Sequence, residues 1–418
     1  MRSTPKSMRL HIGLFGRRNA GKSSLLNAVT AQQVSIVSPV AGTTTDPVEK
    51  AMELLPLGPV LFIDTAGLDD EGTLGELRKE RTRAVFERVD LGVIVCQEGE
   101  WGAYEEMLFS ELDQRKVPVI AVFNKSDIKR PDTALLNMLS ARKIASLCLS
   151  TITGEGLGDF RQALLDSAPA DFVEQPVILR DLVGAGELAV LVTPIDKEAP
   201  KGRLIMPQVQ SIRDLLDGDA SCLVTTDKGL AATLAKLKEP PKLVVTDSQA
   251  FLKVAADTPS HIPMTGFSIL FSRYRGDLVT QVEGALAIDS LKPGDRVLIA
   301  ESCSHHPIED DIGRVKIPQW LMKYVQGELI FDSVQGHDFK MDLSPYKLVI
   351  HCGACVTNRR AMLNRLLRCR KAGVPVTNYG LTIAYSLGIF ERALEPFPDA
   401  LAAYEKHKLY LKAKNTEA

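Results

Sequence analysis

Two short clusters of cysteine and histidine in the C-terminal part of the chain could hold a metal. Each cluster directly follows an apolar run of strand character, at residues 297–300 and at residues 348–350. If these strands are parallel neighbours, both clusters leave the sheet at its carboxyl edge, where open α/β folds place their sites. Three thiols gathered there would suit an iron–sulfur cluster or zinc. The thiols are those of Cys303, Cys352 and Cys355, and the histidines of the clusters are His305, His306 and His351.

Three thiolates leave one metal position for a weaker, replaceable ligand. A histidine beside a cysteine could instead donate a hydrogen bond to sulfur, and we favour this role for His306, which precedes Pro307. The candidates for the replaceable ligand are His305, His351, Glu301, Glu309 and water. The remaining cysteines, which we expect to be small core residues, are Cys96, Cys148, Cys222 and Cys369.

A phosphate-binding loop with the pattern G-x-x-x-x-G-K-S follows an apolar strand predicted at residues 10–15. Its glycines let backbone N–H groups close on the phosphates, and the N-terminus of the following helix adds a favourable potential. Lys22 is expected to reach the β- and γ-phosphates, and the Ser23 hydroxyl is expected to bind Mg²⁺. The nucleotide-binding residues predicted in this stretch are Gly16, Asn19, Gly21, Lys22, Ser23 and Ser24.

A carboxylate motif and a base-recognition motif follow two more apolar strands. Asp64 begins a motif that ends at Gly67, and its carboxylate is expected to lie beside the Mg²⁺. The N-K-x-D motif at residues 124–127 resembles that of the translation-factor-like GTPases. The resemblance implies that Asp127 pairs with guanine and that Asn124 braces the phosphate loop.

The same resemblance implies the remaining nucleotide contacts. It identifies residues 42–46 as a first switch, in which Thr44 is the expected Mg²⁺ ligand. Residues 150–152 are Ser-Thr-Ile where these GTPases have Ser-Ala-Lys, so the base contacts there are less defined. The residues expected around the base are Asn124, Lys125, Asp127, Ser150 and Thr151. The whole set predicts GTP as the substrate and Mg²⁺ as its accompanying ion.

Hydrolysis is expected to be slow. Leu68 stands where signalling GTPases place a water-orienting glutamine, and a leucine side chain cannot hydrogen-bond water. Asn19 and the switch at residues 42–46 resemble the potassium-activated branch of the family, which implies that K⁺ supplies part of the electrostatic stabilisation. Arg17 and Arg18 could be arginine fingers, although solvated loop charges are the more conservative interpretation. The residues with catalytic roles in this hypothesis are Lys22, Thr44, Asp64 and Gly67.

The composition is that of a soluble globular protein. The chain has 418 residues, 45% hydrophobic and 24% charged, with a net charge of −2 at pH 7. This balance gives no indication of nucleic-acid binding, and no apolar run is long enough to cross a membrane. Seven cysteines, an odd number, without an N-terminal apolar signal core predict a reducing, cytoplasmic location.

Strands alternate with helices along the chain, which predicts an α/β fold with largely parallel sheets. We expect a P-loop GTP-binding domain at residues 1–170, followed by two smaller α/β domains. The first of these, residues 171–262, would serve dimerisation or docking. The second, residues 263–418, would bind the metal.

The two cysteine clusters resemble the C-x-H … H-C-x-x-C signature of the HydF family, the maturation GTPases of FeFe-hydrogenases. The resemblance extends to the domain order of the whole chain, and its signature positions are Cys303, His305, His351, Cys352 and Cys355. It implies a 4Fe–4S cluster on the three cysteines, with an exchangeable ligand on the fourth iron. It also implies a homodimer or larger homo-oligomer that acts as a scaffold. Such a scaffold receives a diiron precursor from the radical-SAM maturases HydE and HydG and passes it to apo-hydrogenase.

Two other interpretations stay open at this point. The chain could be an RNA- or ribosome-associated GTPase with a structural Cys₃His zinc site, since related GTPases serve tRNA modification and ribosome assembly. It could also be a GTP-driven dimer with a vestigial metal site. The lack of a basic, aromatic-rich stretch weighs against RNA binding.

Overall fold

The computed structural model describes residues 4–31, 48–54, 57–65, 84–97, 99–169, 177–195, 204–302, 311–336, 339 and 342–416. The chain divides into two compact units, Met1–Pro176 and Val177–Ala418. No helix in these described ranges is both long and apolar enough to span a membrane.

The first unit is built on a six-stranded sheet. Its strands are β1 Leu10–Phe15, β2 Val48–Leu54, β3 Gly58–Asp64, β4 Leu91–Gln97, β5 Val119–Asn124 and β6 Ala145–Cys148. Its helices are α1 Lys22–Ala31, α2 Ala103–Asp113, α3 Thr133–Ala141 and α4 Leu157–Asp166. The strand order is β2-β3-β1-β4-β5-β6, and every neighbouring pair is parallel except β2 with β3.

Helices cover both faces of this sheet. Apolar residues of α1 and α4 pack into the core on one face, and those of α2 and α3 into the core on the other. Strands β1 and β5 are therefore buried at every position, which explains their nearly continuous apolar sequences. Because β1, β3 and β5 are parallel to one another in the sheet, the residues that end them meet at one edge.

The second unit contains two four-stranded sheets. The strands of its first sheet are β7 Leu188–Val192, β8 Ser221–Thr225, β9 Leu243–Thr246 and β10 Met264–Gly266, and those of its second are β11 Arg296–Ala300, β12 Ile330–Val334, β13 Leu348–His351 and β14 Val376–Asn378. The strand orders are β10-β9-β7-β8 and β12-β11-β13-β14, with parallel pairing in both. The helices are α5 Met206–Asp217, α6 Leu230–Leu234, α7 Phe251–Asp257, α8 Phe267–Arg275, α9 Leu278–Leu286, α10 Ile317–Val325, α11 Arg359–Lys371, α12 Tyr379–Ser386, α13 Phe390–Leu394 and α14 Pro398–Thr416.

One hydrophobic core serves both sheets of the second unit. Val190 of the first sheet and Ile299 of the second belong to the same cluster of fully buried side chains. A buried hydrogen bond also joins the two parts, because Thr265 Oγ1 donates to the carbonyl oxygen of Ala393 at 2.9 Å. The division of this unit between residues 262 and 263 stays a prediction.

The predicted fold class is confirmed, since both units are α/β and their sheets are mostly parallel. The sequence pattern also predicts a final helix at residues 382–390, and this prediction is wrong. Helix α12 ends at Ser386, because Gly388 beyond it takes the left-handed conformation with φ +74°, and α13 and α14 follow. The apolar run at residues 374–376 predicts a strand there, but β14 begins only at Val376. The N–H of Val374 donates to Cys369 O at 3.0 Å and closes the end of α11 instead.

Candidate functional site

The phosphate-binding loop connects β1 to α1, and two of its glycines stand where a side chain would not fit. Gly16 has φ +142°, and a Cβ there would clash with the carbonyl oxygen of Val95. Gly21 has φ +92°, and a Cβ there would clash with the side-chain amide of Asn124. The loop can therefore pack this closely against β4 and β5 only with glycine at both positions.

Lys22 and Ser23 lie at the start of α1, beside the end of β3. Lys22 Nζ donates to the carbonyl oxygens of Gly16 and Arg17, each at 2.8 Å. Ser23 Oγ donates to Asp64 Oδ2 at 2.6 Å. The structure thus brings a lysine, a hydroxyl and a carboxylate together at a helix N-terminus, which favours bound phosphate.

Asp64 has the environment expected of an Mg²⁺ partner. Burial raises the pKa of its carboxyl group, although the Ser23 hydrogen bond and the Lys22 charge act in the opposite direction. Its second oxygen, Oδ1, is buried and accepts no hydrogen bond from any residue that the structure describes. A hydroxyl oxygen beside a carboxylate oxygen that accepts no hydrogen bond offers the oxygen ligands that Mg²⁺ prefers.

Asn124 joins the base-recognition motif to the phosphate loop. Its Nδ2 donates to the carbonyl oxygen of Ala20 at 3.0 Å, and its Oδ1 accepts the N–H of Lys125 at 2.8 Å. Sequence reasoning assigned this bracing role to Asn124 from the family resemblance, and the structure contains such a contact. Asp127, three residues after Asn124 in the turn that follows β5, is exposed.

The turn after β6 lies beside the N-K-x-D motif. The N–H of Ser126 donates to Leu149 O at 3.1 Å, which brings the two turns together. Ser150 is buried, and its Oγ accepts the N–H groups of Ile152 and Thr153, each at 3.3 Å, while Thr151 is half-buried. Ser150 therefore shapes its own turn, and Thr151 is the more accessible of the two residues predicted to contact the base.

The remaining predicted residues of this site are Asn19, Ser24, Thr44 and Gly67. Asn19 is exposed in the left-handed conformation with φ +62°, and Ser24 is exposed in the first turn of α1. Thr44 and Gly67 lie outside the described residues, as does Leu68.

Arg17 is neither an arginine finger nor a simply solvated charge in this structure. Its Nε donates to Glu105 Oε1 at 3.0 Å and its Nη2 to Glu105 Oε2 at 3.3 Å. The guanidinium also lies 5.4 Å from the centre of the Tyr104 ring. Glu105 is buried in the first turn of α2, so a bidentate ion pair ties the phosphate loop to that helix. The two residues are 88 positions apart, and no local pattern in the sequence indicated this pairing.

The predicted parallel pairing of the two cysteine-bearing strands is confirmed. β11 and β13 are neighbours, with Ala300 opposite His351. Beyond the strands, the N–H of Ser302 donates to Cys352 Sγ at 3.1 Å, and the N–H of Cys352 donates to Ala300 O at 2.9 Å. Ser302, the last described residue before the first cluster, therefore contacts a thiol of the second cluster.

Cys352 and Cys355 lie in the turn between β13 and α11, and both are half-buried. Ala354 takes the left-handed conformation with φ +52°, and its carbonyl oxygen accepts the N–H of Thr357 at 3.1 Å. Asn358 then caps α11 by accepting the N–H of Ala361 at 3.3 Å. This turn therefore holds both thiols at the carboxyl edge of the sheet.

The donor chemistry of this edge fits a soft metal centre. Two accessible thiols and a backbone N–H directed at sulfur are features of iron–sulfur and zinc sites. Cys303, His305, His306 and Glu309 lie at residues 303–310, outside the described residues. The described part of the chain, which lacks these side chains, groups no three potential metal ligands.

His351 does not agree with its predicted role as a metal ligand. The residue is fully buried, its Nε2 lies 2.6 Å from Arg365 Nη1, and its Nδ1 lies 3.0 Å from Cys352 O. A guanidinium can only donate, so Nε2 accepts and Nδ1 carries the proton. Burial, aided by the Arg365 charge, lowers the pKa of His351 to about 3. Both ring nitrogens are thus engaged within the protein.

Glu301 lies two residues before Cys303 and is almost fully buried. Its Oε2 accepts from Arg314 at 3.2 Å and from Gln335 at 3.1 Å, and its Oε1 accepts from the Tyr379 hydroxyl at 3.2 Å. A carboxylate has about four acceptor positions, and these three donors leave one for a further partner. Glu301 therefore remains a candidate for the replaceable metal ligand.

The other cysteines differ from the two at the sheet edge. Cys96 and Cys369 are fully buried, and Cys148 and Cys222 are half-buried. Burial raises the pKa of all four thiols, in Cys369 to about 12. They remain neutral thiols, which suits core residues better than ligands.

Three family models match the chain in separate ranges. Residues 11–125 match a family described as a 50S ribosome-binding GTPase. Residues 178–276 match the hydrogen maturase F dimerization domain, and residues 279–396 match the hydrogen maturase F tetramerization domain.

Curated relatives match only part of the chain. The chain is 38% identical over 124 residues to "GTPase Der" of Wolinella succinogenes, which covers 29% of this chain and 26% of that protein. It is 36% identical over 162 residues to "tRNA modification GTPase MnmE" of Nitrosomonas europaea, covering 38% of this chain and 35% of that protein. The chain thus spans about a quarter to a third of the length of these relatives.

Solved structures of GTPases show weaker similarity. Aquifex aeolicus Era bound to GDP·AlF₄⁻ is 18% identical with a TM-score of 0.33, covering 59% of this chain and 97% of that one. The G domain of the T. maritima FeoB iron transporter is 21% identical with a TM-score of 0.31, covering 38% of this chain and 98% of that one. TM-scores this low carry no weight for function.

The matched ranges account for both units. The GTPase match in the first unit, together with its phosphate loop, makes the chain a GTPase that binds GTP and Mg²⁺. The dimerization and tetramerization matches in the second unit confirm the prediction of a homo-oligomer. Since two hydrogen maturase F domains follow the GTPase domain, the chain belongs to the HydF family of hydrogenase-maturation GTPases.

Proposed function

We propose that the chain is a GTP-hydrolysing scaffold that holds a 4Fe–4S cluster and delivers the diiron subcluster of FeFe-hydrogenase to the apoenzyme. The diiron precursor would come from the radical-SAM maturases HydE and HydG. Family membership supports a role in hydrogenase maturation. The observation that carries the scaffold proposal is the Ser302 N–H bonded to Cys352 Sγ, because Ser302 is the residue that precedes the first cysteine cluster and Cys352 belongs to the second.

Cys303, Cys352 and Cys355 are the proposed cluster ligands. The cluster would supply an iron whose fourth ligand can be exchanged. The chain's own groups prepare this site, since the N–H of Ser302 donates to Cys352 Sγ and the turn after β13 holds Cys352 and Cys355. His305, Glu301, Glu309 and water are the candidates for the replaceable ligand that this geometry leaves open.

The first unit is proposed to bind GTP with residues from its five motifs. Lys22 would neutralise charge on the β- and γ-phosphates, while Ser23, Asp64 and Thr44 would hold Mg²⁺. The residues proposed to contact the loop and base are Gly16, Asn19, Gly21, Ser24, Asn124, Lys125, Asp127, Ser150 and Thr151. Gly67, which ends the motif that begins at Asp64, is the remaining residue proposed to have a catalytic role.

Anaerobic reconstitution tests the scaffold proposal. We expect the purified protein to turn brown, to bind iron and sulfide, and to give a 4Fe–4S signal by electron paramagnetic resonance (EPR) after reduction. Protein loaded by HydE and HydG should then activate apo-hydrogenase, and protein loaded without them should not. A colourless protein with zinc and no iron would instead support the RNA-associated GTPase, the class to which the tRNA-modifying relative belongs.

Potassium is expected to stimulate GTP hydrolysis. Asn19 lies exposed on the phosphate loop, where its side chain can help to hold a cation near the phosphates. We expect hydrolysis in KCl to be about tenfold faster than in NaCl at equal ionic strength, which corresponds to about 1.4 kcal/mol of activation free energy. Asn19→Ala should abolish most of this difference.

The control for this measurement is Asn137→Ala, which changes an exposed asparagine of α3. It should keep the full potassium effect. Equal parent rates in the two salts, or an unchanged ratio in Asn19→Ala, would rule the assignment out.

A further inference from the structure

The guanidinium of Arg365 lies buried behind the cysteine turn. The residue is 6% exposed, and its Nη1 lies 2.6 Å from His351 Nε2 while its Nη2 donates to Gly336 O at 2.5 Å. The guanidinium carbon lies 5.3 Å from the centre of the Phe339 ring. All three of these partners are neutral groups.

No carboxylate among the residues that the structure describes comes within salt-bridge distance of Arg365. A buried cation without a counter-charge is strongly unfavourable, because its lost hydration is not replaced. Two thiols are close enough to act on Arg365 electrostatically, those of Cys352 and Cys369. Burial raises the pKa of Cys369 to about 12, so that thiol stays neutral. The metal centre proposed on the neighbouring cysteine turn, which thiolates make anionic, would supply the opposing negative charge.

A chain of hydrogen bonds connects Arg365 to the same thiol-bearing residue. Arg365 donates to His351, and His351 Nδ1 donates to the carbonyl oxygen of Cys352. The Sγ of Cys352 in turn accepts the N–H of Ser302. The buried guanidinium of Arg365 is therefore linked through His351 to Cys352, whose carbonyl oxygen and sulfur both accept hydrogen bonds.

We propose that Arg365 is the counter-charge of the metal centre, a positioning residue that acts on the cluster through its charge and through His351. The proposal rests on the iron–sulfur centre proposed above. Reduction adds negative charge to a cluster that thiolates already make anionic, and a buried cation nearby favours the reduced form. The charge of Arg365 should consequently raise the reduction potential of the cluster.

The test compares three variants after anaerobic reconstitution. Arg365→Gln removes the charge and keeps hydrogen-bonding capacity, and Arg365→Lys keeps the charge. Arg370→Gln is the matched control, because it removes an exposed arginine from the same helix. Iron and sulfide content, circular dichroism and the midpoint potential from an EPR-monitored redox titration are measured for each protein.

We expect Arg365→Gln to assemble a cluster that is at least tenfold harder to reduce, a shift of about 59 mV to more negative potential for one electron. Arg365→Lys should stay near the parent potential, and Arg370→Gln should match it. Arg365→Gln could instead fold but bind no iron, while Arg365→Lys gives a parent-like cluster. This result would also support the proposal, because it would show that the cluster requires a positive charge at residue 365.

Three results would contradict the proposed role of Arg365 as a counter-charge. They are an unchanged potential in Arg365→Gln, equal shifts in Arg365→Gln and Arg365→Lys, and loss of the cluster in both. A parent protein that forms no iron–sulfur cluster would instead defeat the proposed function itself, so the two failures are distinguishable.

Discussion

Lys22→Ala is expected to slow GTP hydrolysis by at least about a hundredfold, the usual effect of losing a group that stabilises transition-state charge. The same variant should assemble an iron–sulfur cluster to the parent level. Lys22 lies in the first compact unit and Cys352 and Cys355 in the second. Steady-state phosphate release and iron and sulfide analysis measure the two properties on one sample.

Folding must be checked in this variant, because Lys22 Nζ also holds two carbonyl oxygens of the phosphate loop. Thermal unfolding followed by circular dichroism serves this purpose. Lys143→Ala, which changes an exposed lysine in the turn before β6, is the control and should hydrolyse GTP at the parent rate. A Lys22→Ala protein that folds normally yet assembles no cluster would show that the two sites are not independent. Any such coupling has to be reciprocal in binding free energy.

Cys355→Ser is expected to have the opposite effect, with loss of the cluster and of hydrogenase activation but parent-like GTP hydrolysis. A serine hydroxyl has nearly the size of a thiol, but it stays protonated at neutral pH and is a poor ligand for a soft metal. The measurements are the EPR signal after reconstitution, activation of apo-hydrogenase and phosphate release. Cys352→Ser should behave in the same way.

Cys222→Ser is the matched control for these variants. Cys222 is half-buried like Cys355, and it lies in β8 of the other sheet of the same unit. It should keep both the cluster and the GTPase rate. An unchanged EPR signal in Cys355→Ser would remove that residue from the ligand set, and loss of GTPase activity in the same protein would contradict the separation of the sites.

Local patterns predicted the elements that carry the motifs. The sequence predicts a strand at residues 10–15 and helices at residues 278–286 and 359–371, and β1, α9 and α11 have these bounds. Apolar runs, caps and a terminating glycine act over only a few residues, so these elements could be predicted locally. The pairing of β11 with β13 was also predictable, since two apolar strands each preceded a ligand cluster. The positions of the glycines in the phosphate loop followed from the motif alone.

Contacts between distant side chains were not predictable. Arg17 looked like a free charge because its partner Glu105 is 88 residues away. His351 looked like a ligand because Arg365, which occupies its Nε2, faces it from a different element. A charged residue in a helix of many charges gives no sign in the sequence that it is buried. The missed C-terminal helices have a similar cause, since tertiary packing rather than pattern defines α13.

The shared core of the second unit joins the dimerization segment and the tetramerization segment, which carries the cysteine turn, in one folding equilibrium. The dimerization and tetramerization segments contribute side chains to the same hydrophobic cluster, and Arg392 of one donates to Ala255 O of the other at 2.8 Å. Neither segment can unfold without exposing the core of its neighbour, so they behave as one cooperative body. A ligand that binds only the folded form stabilises every part of such a body by mass action. If the proposed iron centre forms at the cysteine turn, it would therefore stabilise the oligomer surfaces, and assembly would in turn stabilise the bound iron.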